Sequence, residues 1–126
     1  MKMLIVDDSA VIRRKIERDL AITGITEIYQ AMNGLEALRL CKQHKPDLVT
    51  MDLTMPEMDG VECIRHIIAL NPDTMILVIS ALSDKATPIR AIKNGARGFL
   101  CKPFTDEDLN QALSQLLKDA KSRIAV

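Results

Sequence analysis

The sequence predicts an α/β fold in which five strands and five helices alternate around a parallel sheet. Three observations predict it. Short apolar runs and segments of helical period follow one another along the chain, with no repeat, low-complexity stretch or linker between them. The run Met75-Ile76-Leu77-Val78-Ile79 is apolar without alternation, as a strand covered on both faces requires. The helical segments are long enough for right-handed crossovers, which place helices on both faces. Residues 1–126 read as one domain, large enough for a real core, with no second domain after residue 118.

The elements follow in order. A strand over 2–7 closes on Asp7-Asp8. In the first helix Ile12, Ile16 and Leu20 recur every four residues, while Arg13, Arg14, Glu17 and Arg18 face away. A second strand covers 26–31. Asn33 caps the next helix, with Glu36 three residues on. A third strand, 47–52, ends on Asp52. Asp59 and Glu62 repeat the capping relation at the third helix. A fourth strand covers 74–80. The fourth helix starts either with Asp84 as N-cap or with Thr87 as N-cap and Pro88 at its first position. The second, shorter form is favoured; it ends at Asn94-Gly95 and follows a long loop. A fifth strand covers 97–101. Thr105-Asp106-Glu107-Asp108 opens the last helix, whose apolar face is Leu109, Ala112, Leu113, Leu116 and Leu117.

Composition excludes several functions. Formal net charge is zero, which leaves no basic surplus for nucleic acid. Aromatics are 2% and Trp is absent, too few to stack a flavin, a nicotinamide or bases. No apolar stretch approaches the roughly 20 residues of a membrane span, and the short apolar start is a strand, so a cytoplasmic location is expected. Cys41, Cys63 and Cys101 form no CxxC and read as buried reduced thiols in apolar segments. His44 and His66 read as surface residues, and Met51, Met55 and Met58 as core filling or an adaptable surface.

The strand ends carry the chemistry. In open α/β sheets ligands bind beyond the C-terminal ends of the strands. Those ends here are Asp7-Asp8, Asp52, Ser80-Ala81 and Lys102-Pro103. Three carboxylates at one edge repel one another unless a cation is present, and they supply the hard oxygen ligands of Mg²⁺. A carboxylate can also attack phosphorus to give an acyl phosphate. Lys102 and the Ser80 hydroxyl would meet the charge of a phosphoryl group, and Ala81 leaves room for a bulky donor. Asp7 and Asp8 could instead simply cap the first helix.

Four segments stand in order on these ends: Leu4-Ile5-Val6-Asp7-Asp8-Ser9, Asp47 through Gly60, Val78-Ile79-Ser80-Ala81, and Gly98-Phe99-Leu100-Cys101-Lys102-Pro103-Phe104. Each alone is weak; together they are specific. On them the chain resembles response-regulator receiver domains of the stand-alone, CheY-like chemotaxis type over nearly its whole length. The resemblance implies a (βα)5 flavodoxin-like three-layer sandwich with a five-stranded parallel sheet of order 2-1-3-4-5. It implies Asp52 as phosphoacceptor, with Mg²⁺ (or Mn²⁺) held by Asp8, Asp52 and the Thr54 backbone carbonyl and, through water, by Asp7. Ser80 would be the switch hydroxyl, Lys102 the partner of the phosphoryl group, and Lys102-Pro103 a cis bond. Phe99 matches the switch aromatic, which is often Tyr in chemotaxis members; here the hydroxyl is missing.

The function implied is a signalling switch, not an enzyme with a turned-over substrate. A histidine kinase or phosphotransfer protein would be the donor. An output protein such as a flagellar motor switch component would read the face built from the fourth helix, fifth strand and fifth helix. Neither Thr54 nor Leu82 offers a carboxylate or carboxamide to orient an attacking water, so hydrolysis is expected to depend on intrinsic geometry or on an external phosphatase as a further partner. Nucleic acid and membrane are not expected, and a monomer is. The same resemblance is compatible with a phosphorelay intermediate or a second-messenger regulator. A different class, the haloacid-dehalogenase-type aspartyl phosphohydrolase, fits poorly: its acid two residues after the nucleophile is Thr54 here, and its nucleophile sits near the N-terminus. A receiver fold used only for binding would not need the full acid set.

Overall fold

The computed structural model describes residues 1–54, 59–81 and 83–124, with side chains to residue 120. The elements are β1 (Lys2–Val6), α1 (Ala10–Asp19), β2 (Glu27–Ala31), α2 (Gly34–His44), β3 (Leu48–Asp52), α3 (Gly60–Leu70), β4 (Met75–Ala81), α4 (Ala86–Lys93), β5 (Gly98–Lys102) and α5 (Asp106–Ile124). All strand pairs are parallel, in the order β2-β1-β3-β4-β5. Met55, Pro56, Met58 and Leu82 lie outside the described residues.

Alternation along the strands divides the core in two. Leu4, Val6, Val49, Met51, Ile76 and Val78 face one layer with Ala37, Cys41, Cys63, Ile64 and Ile67 of α2 and α3. Met3, Ile5, Leu48, Leu77 and Ile79 face the other, with Ile16 of α1 and Leu109, Leu113 and Leu116 of α5. Successive strand residues point to opposite faces, so a central strand apolar at every position has to be covered on both. The fully buried Leu77 and Ile76, adjacent in β4, show this directly. Cys41 and Cys63 are buried free thiols, and burial pushes them up to about 11 and about 12; Cys101, expected to be buried as well, is only half-buried, because it lies on β5 at the edge of the sheet.

Local signals start and stop the helices. The Asn33 side chain accepts from the Glu36 amide at 2.8 Å. Thr105 and Asp108 close a reciprocal box: the Asp108 amide donates to Thr105 Oγ1 at 3.0 Å and the Thr105 amide to Asp108 Oδ2 at 3.1 Å. Asp59 behaves differently from the expected box, because its carboxylate accepts from the Val61 amide, two residues on. Helix α1 is capped by Ser9, whose Oγ accepts from the Ile12 amide at 3.3 Å, which frees Asp7 and Asp8 from that task.

The start of α4 differs from the favoured expectation. The helix begins at Ala86, so Pro88 is its third residue and the loop before it is short. The Asp84 carboxylate accepts from the Thr87 amide at 3.0 Å and supplies the cap from two residues before the helix, one before the N-cap Lys85. Proline is tolerated throughout the first turn, since those amides have no helical acceptor, so Pro88 does not mark the boundary. The end is as expected: Asn94 caps, and Gly95 takes φ +118.

Gly95 is the fold's test of backbone freedom. A Cβ there would adopt a conformation unfavourable for L-residues and stand 2.7 Å from Ile68 Cγ1 of α3. Gly95→Ala should lower unfolding free energy by about 1–3 kcal/mol. Chemical denaturation measures it, and a loss below about 0.5 kcal/mol would show that α3 and α4 yield freely.

Candidate functional site

Strand register brings the acids together. Val6 lies beside Met51 in the β1–β3 pairing, so the residues that follow, Asp7 and Asp52, leave the sheet as neighbours. One carboxylate oxygen each from Asp7, Asp8 and Asp52 lies within 4.8 Å of the others. Asp52 stands beside Ile79 of β4, so Ser80 follows next to it, and Ala81 pairs with Lys102 of β5. Four strand ends therefore converge on one spot, which brings Asp7, Asp8, Asp52, Ser80, Ala81 and Lys102 to that edge. Asp7, Asp52 and Ser80 are buried, Ala81 and Lys102 half-buried, and Asp8 exposed.

Lys102 is the cation among them. Its Nζ lies 3.4 Å from Asp52 Oδ1 and 3.6 Å from Asp7 Oδ2. Asp52 Oδ1 also accepts from Thr54, at 3.0 Å from the amide and 2.7 Å from the hydroxyl. Asp7 Oδ1 accepts from the Ser9 amide at 2.9 Å. One ammonium is not enough for both buried acids. Burial is the main force pushing Asp7 up from 3.8 to about 6; Asp52 and a hydrogen bond with Asp8 push the same way, against Ser9 and Lys102.

Three buried atoms of this cluster have no hydrogen-bond partner among the described residues: Asp7 Oδ2, Asp52 Oδ2 and Ser80 Oγ. Such atoms are rare in folded proteins and costly. Their convergence with the exposed Asp8 leaves free oxygen lone pairs facing one place. Hard oxygen donors of this kind fit a divalent cation.

Arg13 was legible only as a solvent-facing residue of α1, and the structure corrects that. It is half-buried; its Nη1 donates to the Asp7 carbonyl at 2.6 Å and its Nε to Gln30 Oε1 at 3.1 Å. Helical periodicity carries no signal for such a reach around the end of a strand. Phe99 is 54% exposed and borders an apolar groove of about 340 Å³ with Pro88, Ile89, Ile92 and Cys101. His66 is exposed, 3.8 Å from Glu62. His44 is half-buried and stacks on Tyr29 with centroids 4.0 Å apart. Neither histidine belongs to the acid cluster.

The sequence matches the response regulator receiver domain family over residues 3–114. It is 41% identical to the chemotaxis protein CheY of Thermotoga maritima, covering 93% of this chain and 98% of that protein. It is 39% identical to the chemotaxis protein CheY of Bacillus subtilis, covering 92% and 97%. A CheY-like receiver domain crystal structure from Methanospirillum hungatei superposes with a TM-score of 0.87 at 22% identity, over 97% of both chains, which is a likeness of fold.

The raised Asp7 carboxyl sets a pH signature for the metal-free protein. A carboxyl whose folded value is raised contributes stability when protonated and loses it as pH climbs through the window from about 4 to about 6. Asp7→Asn should therefore stabilise the metal-free protein at pH 7.5 by about 1–2 kcal/mol and flatten its stability between pH 4 and 6. Thermal melts in chelator read both; destabilisation by Asp7→Asn would contradict this electrostatic account.

Proposed function

The chain belongs to the response regulator receiver domain family, and from that premise we propose that it is a phosphorelay switch whose acceptor is Asp52. The observation that carries this reading is a set of buried oxygens around Lys102 without hydrogen-bond partners among the described residues: Asp7 Oδ2, which has only the ion pair with the ammonium at 3.6 Å, Asp52 Oδ2 and Ser80 Oγ. A phosphoryl group with its cation would use each of these atoms.

Asp52 is the nucleophile. Its Oδ1 is occupied by Thr54 and Lys102, while Oδ2 is free. A carboxylate oxygen of Asp52 forms the O–P bond as the P–N bond of a donor phosphohistidine breaks. The imidazole leaves with the electron pair and takes a proton from solvent. Lys102 neutralises phosphoryl oxygens in place of part of its contact with the acids, and Ser80 donates its hydroxyl to another. Ala81 keeps the entrance open. Asp8 and Asp52, with the Thr54 carbonyl and, through water, Asp7, would hold Mg²⁺, which would supply charge neutralisation of the phosphoryl oxygens.

The readout follows from the same atoms. Movement of Ser80 toward phosphate opens space on β4, and Phe99, now outward on neighbouring β5, turns inward. The Phe99, Ile89 and Ile92 surface of α4, β5 and α5 then changes its affinity for an output protein. The group shifts a pre-existing equilibrium by the difference between its interactions in the two states. Phe99 has no hydroxyl, so packing alone carries the rotation. The partners in this reading are a histidine kinase or phosphotransfer protein, a flagellar motor switch component and a phosphatase, in the cytoplasm. The near full-length likeness to two chemotaxis proteins supports a stand-alone chemotaxis role.

Two measurements test the reading. Asp52→Asn should reduce labelling by acetyl phosphate with Mg²⁺ to background, and undiminished labelling would reassign the acceptor. Mg²⁺ at tenfold over its dissociation constant should stabilise the protein by about 1.4 kcal/mol, a rise of a few degrees in Tm. Asp8→Asn should remove most of that rise; a Tm indifferent to Mg²⁺ in the unmodified chain would sink the metal assignment.

A further inference from the structure

We propose that Arg13 is a positioning residue that aims Asp8 at the cation by locking the peptide between Asp7 and Asp8. The inference rests on the metal reading above and adds a residue that helical periodicity places on the solvent face.

Asp8 is the exposed member of the cluster and lies beyond β1, which ends at Val6. No strand ladder fixes it. Its direction is set by the residue before it, and that residue is tied at three points. The Asp7 amide donates to the Ala31 carbonyl of β2 at 3.1 Å. The Asp7 Oδ1 atom accepts from the Ser9 amide. The Asp7 carbonyl accepts from Arg13 Nη1 at 2.6 Å. This carbonyl belongs to the planar peptide whose nitrogen is that of Asp8. Holding its oxygen fixes the plane, and with it the position of the Asp8 Cα from which the side chain leaves; the Asp7 Oδ1 bond to the Ser9 amide closes the turn on the other side of Asp8.

The guanidinium is itself braced. Its Nε donates to Gln30 Oε1 of β2, and Gln30 Nε2 donates to Glu17 Oε2 of α1 at 2.7 Å. The chain of contacts runs from Glu17 through Gln30 and Arg13 to Asp7. It crosses from helix to edge strand and back to the site. A guanidinium presents two donors in one rigid plane, which suits an acceptor on each side; an ammonium has one nitrogen and cannot span both.

Charge and position make opposite predictions, so one variant separates them. A guanidinium carries a positive charge. Were it only a charge near the acids, its removal would tighten cation binding. As a positioning residue, its removal weakens it. The experiment is a calorimetric Mg²⁺ titration at fixed ionic strength of the unmodified chain, Arg13→Met, Arg13→Lys and Gln30→Met. Melts in chelator check folding, and ¹⁵N spectra of the metal-free proteins follow the Asp8 amide.

The dissociation constant should rise about tenfold in Arg13→Met, the lower end of what second-layer ligand supports contribute. Arg13→Lys should not restore it, and Gln30→Met should raise it about threefold. The Asp8 amide resonance should move in metal-free Arg13→Met, because its peptide carbonyl has lost a donor. Unchanged or tighter Mg²⁺ binding in Arg13→Met, or an unmoved Asp8 amide, overturns the proposal. Should Arg13→Met not fold, Gln30→Met decides it by the same two readouts. No binding by the unmodified chain overturns the metal reading and this role together, and is recognised in that first titration.

Discussion

Two carboxylates buried side by side require a cation, and the sheet supplies Lys102 by reaching across a strand. Asp52 ends β3 and Lys102 ends β5, with β4 between them. Strands stand about 4.8 Å apart, so the ammonium must span roughly 10 Å over the end of β4. It can do so because β4 ends in Ser80 and Ala81, which are small. The order β3-β4-β5, the small residues on β4 and the length of lysine thus form one requirement.

That contact does not fully satisfy the acids. Buried charge is stable only when paired and hydrogen-bonded on all sides, and removing a partner from such a set is strongly destabilising. Here a single ammonium is divided between Asp7 and Asp52 at 3.6 and 3.4 Å, and Asp7 remains raised to about 6. Asp52 Oδ2 and Ser80 Oγ have no hydrogen-bond partner among the described residues. Elsewhere local and global preferences mostly agree: Asn33, Ser9 and Thr105 cap their helices, and both sheet faces are apolar apart from Thr50 of β3, whose buried hydroxyl also lacks a partner among the described residues. Disagreement concentrated at one edge is the usual mark of a functional site.

Much of this was legible in the sequence because it depends on local chemistry. Each strand falls within one residue of its expected bounds, since apolar runs and their punctuation are local. Asp7, Asp8, Asp52, Ser80 and Lys102 were visible as polar residues at the ends of apolar runs, and sheet topology alone carries strand ends to one edge. The misreadings were equally physical. Pro88 read as a helix start, although proline is tolerated anywhere in a first turn and Asp84 supplies the cap. Arg13 read as solvated because a helical wheel places a Cβ and ignores how far a guanidinium reaches.

By itself the sequence determined the elements, their alternation, the caps and the acids at the strand ends, all set by interactions a few residues apart. Only the tertiary structure decided how those ends share charge. It set Lys102 between Asp7 and Asp52, left Asp52 Oδ2 and Ser80 Oγ unpartnered, turned Phe99 outward and brought Arg13 to the Asp7 carbonyl. Those outcomes depend on distances between residues far apart in the chain. Electrostatic and hydrogen-bond energies change steeply over the last ångström or two of such distances.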